Sequence, residues 1–394
     1  MIHKSIILKG SVLLCLSFLI SIRLHAQVVE NGPATNGSQQ NNVVNALPFL
    51  LITPDARAGA MGEAGVAVRP DGNAMSMNPS KLAFLERDYG FAVSYSPWLK
   101  SLVPDMNLAY LSGYYKWKDK NVLAASFRYF SLGQIQLTDA GQQDLGTYSP
   151  NQLALDVNYA SKFGENFSLG SAFRFMYSNV ESGMNNVGNE NAANFGFGVD
   201  VSAFYQKPTV MFEKDAIFSL GLNISNIGPR VSNMVDENTN FLPTNLKFGA
   251  ATTFMLDDYN QFTLALDINK LLVPTQPIRN STGDIIAGKD PNRSVPSAIF
   301  GSFNDAPGGF KEEMKELNYG LGAEYWYNNQ FALRAGYLFE SPEKGNKRYL
   351  TLGAGLKYNI FNLDFAYILA NPQKSALANT LRFTLLFNFG ETKL

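Results

Sequence analysis

From Phe91 onward the chain alternates apolar residues with small or polar ones at a period of two. Leu153, Leu155, Val157 and Tyr159 alternate with Ala154, Asp156 and Asn158, and Phe218, Leu220, Leu222 and Ile224 alternate with Ser219, Gly221 and Asn223. The same alternation runs through residues 195–201, 262–269 and 361–367. Successive side chains of a β-strand point to opposite faces, so each segment predicts a strand with one apolar face. In a soluble sandwich the other face is solvated and rich in Lys and Glu. Here it carries Gly, Ala, Ser, Asn and Asp, which suits the crowded inside of a barrel whose apolar face meets lipid. About fourteen such segments occur, an even number as in bacterial outer-membrane barrels. They centre near Val93, Tyr110, Phe127, Leu155, Phe173, Val199, Leu220, Ala250, Leu264, Ala323, Leu333, Ala354, Phe365 and Phe383. The fold class is therefore all-β: a transmembrane antiparallel β-barrel.

The connections sort by order. Those of even order are short, as in KWKDKN, FGEN, LDDYN, YNNQ and KYN, with QKPTVMFEKD the longest. Those of odd order are long and polar, including residues 133–151, 178–194 and 227–245. Short periplasmic turns alternate with long outer loops in such barrels, so the pattern predicts both chain ends in the periplasm. Tyr114, Tyr115 and Trp117, and again Tyr325, Trp326 and Tyr327, cluster near strand ends and predict an aromatic girdle at headgroup level. The ninth connection, residues 271–318, is far longer than a hairpin needs; loops of that length are usually functional or disordered. It carries Phe300, Phe303 and Phe310, then a run from Lys311 to Leu317 that predicts about two helical turns with Met314 and Leu317 on one side. Large apolar groups on an outer loop favour a partner site. The competing expectation is a lid, with each Phe packed down on the barrel rim.

Composition narrows the class. Charged residues make up 16% of the chain, aromatics 13%, and mean hydropathy is −0.09. Past the N-terminus there is no apolar run of the roughly 20 residues that a membrane helix needs. The N-terminus itself, with Lys4 and Lys9 ahead of an apolar core from Val12 to Ile22 and Ala26 before a cut, predicts a signal peptide over residues 1–26. Its removal takes away Cys15, His3 and His25, which are the chain's one Cys and two His. A chain without Cys or His has no disulfide, no Ser-His-Asp triad and no His- or Cys-built zinc site. An outer-leaflet acyl hydrolase thereby loses its usual base, and no catalytic residue or cofactor is predicted. A net charge of −1 argues against a nucleic-acid partner.

Residues 27–45 are polar and predict a flexible periplasmic segment. Residues 46–89 are rich in Gly and Ala and predict a plug-like segment ahead of a barrel at 90–390. Gly59, Gly62 and Gly65 have the spacing of a dinucleotide loop but lack the strand and βαβ unit such a loop requires. Within the barrel, Arg128, Asp156, Arg174, Asp200, Asp267 and Arg334 fall on inward positions, where charges line a pathway or, more often, pair across a closed lumen.

The block ARAGAMGEAGVAVRPDGNAMSMNPSKLAF resembles the plug segment of FadL-type barrels, which ends in an Asn-Pro turn. Three further stretches, KLLVPTQP, SFNDAPGGFKEEMKELNYGLGAEYWYNNQFALRAGYLFE and NTLRFTLLF, resemble the PorV family, outer-membrane components of the type IX secretion system of Bacteroidetes. That resemblance implies a fourteen-strand FadL-like barrel that takes part in exporting proteins with a C-terminal secretion domain. It implies association with the giant translocon barrel, contact with outer-membrane lipids including lipopolysaccharide, and delivery of cargo to attachment-complex proteins at the surface. The alternative is a FadL-like transporter of hydrophobic small molecules. A continuous lumen would favour transport, and a blocked lumen with ordered outer loops would favour docking.

Overall fold

A computed structural model describes residues 43–99, 103–138, 141, 143–180, 193–232, 239–370, 377 and 379–390. The expected signal peptide, and all but the last three residues of the polar segment behind it, lie outside the described residues. Fourteen antiparallel strands close into one barrel. They are β1 (Tyr89–Pro97), β2 (Asn107–Trp117), β3 (Asn121–Ser131), β4 (Asn151–Phe163), β5 (Phe167–Ser178), β6 (Asn194–Met211) and β7 (Lys214–Ile227). The second half comprises β8 (Asn245–Met255), β9 (Asn260–Leu271), β10 (Asn318–Tyr327), β11 (Phe331–Phe339), β12 (Arg348–Tyr358), β13 (Phe361–Leu369) and β14 (Leu381–Phe389). Each strand pairs with its sequence neighbours, and β1 pairs with β14 from Tyr89↔Phe389 to Tyr95↔Phe383 to close the ring. All fourteen expected centres fall inside strands.

The alternation does what the sequence requires of it. In β5, Phe167, Leu169 and Phe173 are exposed on the outer wall, while Ser168, Ala172 and Arg174 are buried inside. Among the described residues no helix is long and apolar enough to cross a membrane; the wall is made of strands. The six even-order connections form one end of the barrel and the long loops the other. The segment QKPTVMFEKD is a shorter turn than its length suggested. β6 and β7 run on through it and leave only Phe212 and Glu213 at the tip, both at positive φ as a two-residue hairpin turn favours. The girdle expectation needs a correction set by the same period of two. Tyr115, Trp117 and Tyr327 face outward, but Tyr114 is buried inside, its hydroxyl donating to Asn388 at 2.9 Å. Trp326 is likewise turned inward, its ring beneath the Arg334 guanidinium. Neighbours in a strand cannot both face lipid.

Residues 43–88 fill the lumen as a plug. Its first part lies at the long-loop end, where Leu47, Phe49 and Leu50 pack with Trp98, Leu108, Phe130, Met176 and Leu242. Its last part lies at the short-turn end, where Met75, Leu82 and Leu85 pack with Tyr114, Val122 and Ala160. Between them a short helix, α1 (Ala56–Ala60), is capped by the Asp55 carboxylate, which accepts from Ala58 N at 2.8 Å. Two wall glycines show how closely plug and wall approach. A Cβ on Gly336 would sit 2.0 Å from Gly62 N, and one on Gly221 would sit 2.2 Å from Val66 O, so only a residue without a side chain fits. Val43 thus lies at the long-loop end and Gly390 at the short-turn end; the chain ends themselves lie outside the described residues.

Candidate functional site

Every charged residue expected on the inner wall is buried, and each is bonded to another wall residue or to the plug. Arg174 donates to Asp156 (2.6 Å) and to Asp200 (3.1 Å), and also contacts the Asn226 side-chain oxygen. Asn226 sits at positive φ in a bulge opposite Asp200, which turns its backbone N–H onto that carboxylate at 2.8 Å. Asp267 accepts from the plug amides of Gly65 (2.7 Å) and Val66 (2.9 Å). Arg128 donates to plug carbonyls, most closely to Leu50 O at 2.9 Å. Arg334 donates to Glu324 (2.7 Å) and Asp364 (2.6 Å), and Arg57 of α1 takes the second oxygen of Glu324 at 2.7 Å. A buried charge is costly unless it is paired, and this array pairs them.

Glu324, Asp364, Arg382, Glu63 and Arg57 were not singled out from the sequence, yet they complete the array. Arg382 reaches Glu63 at 3.2 Å. For Glu324 the signal was present: it continues the inward series Gly320, Gly322 and so occupies a wall position. The plug residues carry no such periodicity. Lys81 is buried and donates to Gly65 O at 2.7 Å, a contact no spacing rule foretells. Two polar cavities lie among these residues. One of about 20 Å³ beside Arg128 and Arg174 is the size of a single water, and a polar one of about 380 Å³ opens at the short-turn end around Arg69, Asp71 and Lys357. An apolar groove of about 520 Å³ lies on the outer wall between Leu264, Leu266, Leu321 and Tyr337, facing lipid and not the lumen.

The loop between β9 and β10 is folded. It contains a small hairpin (Ile278–Arg279 with Ile285–Ala287), helix α2 (Val295–Gly301), and helix α3 (Phe310–Glu313), which passes directly into a 3-10 turn, Met314–Glu316. Pro296 in the first turn of α2 loses nothing, since that N–H has no helical partner. The expected two-turn helix over 311–317 is therefore one α turn and one 3-10 turn. Leu317 is already extended, so it does not share an exposed face with Met314.

Ion pairs hold this loop down. The Lys270 ammonium, at the end of β9, donates to Glu313 (2.9 Å) and Glu316 (2.7 Å), all three buried. Lys344 donates to Glu312 (2.6 Å) and Glu316 (3.0 Å), and Thr275 adds a hydroxyl to Glu316 at 2.6 Å. Burial is the largest influence on Glu313 and pushes its carboxyl up. The amide of Ala306, the Lys270 ammonium and the amide of Asp305 outweigh burial and hold it below its ordinary value. Arg293 pairs with the buried Asp305. Beneath α2, Ala298 is fully buried against Phe241 and Val273, with Val43 and Val295 at its edge.

On this base the aromatic residues point away. Phe300 is 80% exposed and Phe310 79%; Phe303 is 49% exposed with the Lys270 ammonium 5.8 Å from its ring centre, and Met314 is 44% exposed. Leu317 is half-buried. Phe300 and Phe310 therefore do not pack on the rim as a lid.

Residues 35–278 match the model of a family described as type IX secretion system protein PorV. The chain belongs to this family. Membership and fold make it an outer-membrane barrel and a type IX secretion component. The PorV match takes in the plug and β1–β9 and stops at Ile278, ahead of the part of the loop that bears the Phe residues. No curated protein matches the sequence. Among solved structures, a deltaS2S3 mutant of the monoaromatic hydrocarbon channel TodX superposes with a TM-score of 0.53 at 14% identity, over 85% of this chain and 99% of that one. The monoaromatic hydrocarbon channel CymD gives 0.49 at 13% identity over 87% and 99%, and a Pseudomonas aeruginosa FadL homologue gives 0.44 at 11% over 89% and 100%. At these identities the likeness is one of FadL-like fold.

Proposed function

We propose that the chain binds the C-terminal secretion domain of exported cargo on its long-loop face, which lies outside the cell with the short turns in the periplasm. In this reading it associates with the giant translocon barrel and hands cargo to attachment-complex proteins. The supporting observation is Phe300, Phe303 and Phe310 standing exposed on a base fixed by Lys270 and Lys344. Aromatics presented on a rigid support lose little conformational freedom on binding, as anchor residues do. The plug favours docking over passage, because its central residues Ala56, Ala60, Met61 and Val66 have no exposed surface. Transport of hydrophobic small molecules draws support from the fold likeness, but the apolar groove sits on the lipid side of the wall.

A photo-crosslinking residue at Phe303 or Phe310, in cells, tests this directly. Capture of secretion-domain cargo or of a giant barrel is expected. Capture of neither, in cells that secrete normally, sinks the reading.

A further inference from the structure

We infer that the plug begins on the long-loop face, with Val43 and Val44 displayed beside the Phe-bearing loop and Val43 helping to hold it. The inference builds on the loop as the docking face but does not depend on which partner binds there.

The observations form a continuous path. Val43 packs on the cluster of Phe241, Val273 and Ala298, and Ala298 belongs to α2, the helix that carries Phe300. Ala46 N donates to Phe241 O at 2.8 Å, a contact with the long loop between β7 and β8. Leu47, Phe49 and Leu50 then descend among Trp98, Phe130 and Leu242, with Phe49 stacked on Phe130 at 6.3 Å. Gly62 reaches the middle of the wall against Tyr337 and Leu321. Arg69 and Glu86 line the cavity at the short-turn end, and β1 starts there at Tyr89. Residues 43–88 therefore traverse the lumen once, from long loops to short turns. Val43 and Val44 lie at the same end of the barrel as Ile286 and Phe300. Val43 and Val295 both pack on the Phe241, Val273 and Ala298 cluster, so the start of the plug is a structural part of the face.

Single cysteines read the topology cleanly, because the one native Cys lies in the expected signal peptide. Val44 is 52% exposed, and Ile286 in the long loop and Tyr259 in a short turn are exposed as well. V44C, I286C and Y259C are placed separately in the full chain and treated in intact cells with a membrane-impermeant maleimide. V44C is expected to label as I286C does, and Y259C only after permeabilisation. Labelling of V44C that follows Y259C and not I286C would overturn the inference. Because the comparison is internal, it stands or falls whether or not cargo binds the loop. A second measurement tests the seating role. V43D is expected to raise the protease sensitivity of residues 295–317 several-fold while the barrel keeps its heat-resistant migration; unchanged sensitivity would remove Val43 from the support of α2.

Discussion

In the barrel lumen, carboxylates and guanidiniums are buried together, and the apolar side chains of the same strands face out. The loop between β9 and β10 repeats that division on a different base: Glu313 and Glu316 are buried on Lys270 and Lys344, and Phe300 and Phe310 face out. On the wall the outward apolar surface has an evident solvent, the bilayer. The loop stands beyond the strand ends, and there the same inversion leaves large aromatics without one. An exposed apolar patch beyond the wall marks an interaction surface in a way the wall residues do not. Both regions fix their position with buried ion pairs, but only the loop is left with an unassigned face.

The comparison can be broken first at the wall. E324A would leave Arg57 and Arg334 without the carboxylate they share, and breaking a buried pair costs about 3–5 kcal/mol. The expected result is a marked drop in the temperature at which the folded barrel loses heat-resistant migration. A loss below about 1 kcal/mol, the scale of an exposed pair, would show that water reaches this array. A smaller, local effect is expected from K270M. Glu313 keeps two backbone donors, and Glu316 keeps Thr275 and Lys344, so a cost of about 1–3 kcal/mol should appear as faster hydrogen exchange in residues 303–317 only. Exchange spreading into β9 and β10 would mean that loop and wall are one unit. The smallest stability effect belongs to the double variant F300S/F310S, within about 0.5 kcal/mol, since neither ring is packed. Its affinity for a secretion-domain peptide is expected to fall at least tenfold. A large stability loss with unchanged affinity would restore the lid.

The sequence carried the barrel because the barrel is local. Alternation fixes which residues face lipid, and turn length fixes which ends are adjacent, so strand number and the sorting of loops follow without any long-range information. The inward charges were legible for the same reason, although their partners were not. Asp156 pairs with Arg174 across adjacent strands, a register that alternation alone does not give. Asp267 meets plug amides about two hundred residues away in the chain. The direction of the plug was least legible. Residues 43–88 are held by backbone amides, glycine contacts and single side chains such as Arg57 and Lys81, none of which repeats with a period. Loop-length parity therefore located the strand ends correctly and was silent about how the chain arrives at β1.

The glycine contacts between plug and wall make the wall intolerant of side chains at single points. The plug presses on β7 at Gly221 and on β11 at Gly336, so its backbone touches strands from both halves of the ring with no clearance for a side chain. A side chain at either position would push plug and wall apart, so one substitution would loosen the fit across the whole lumen. The ring itself closes at the seam of β1 with β14, where Phe91 stacks on Phe387 at 4.7 Å and Tyr89 on Phe389 at 5.3 Å.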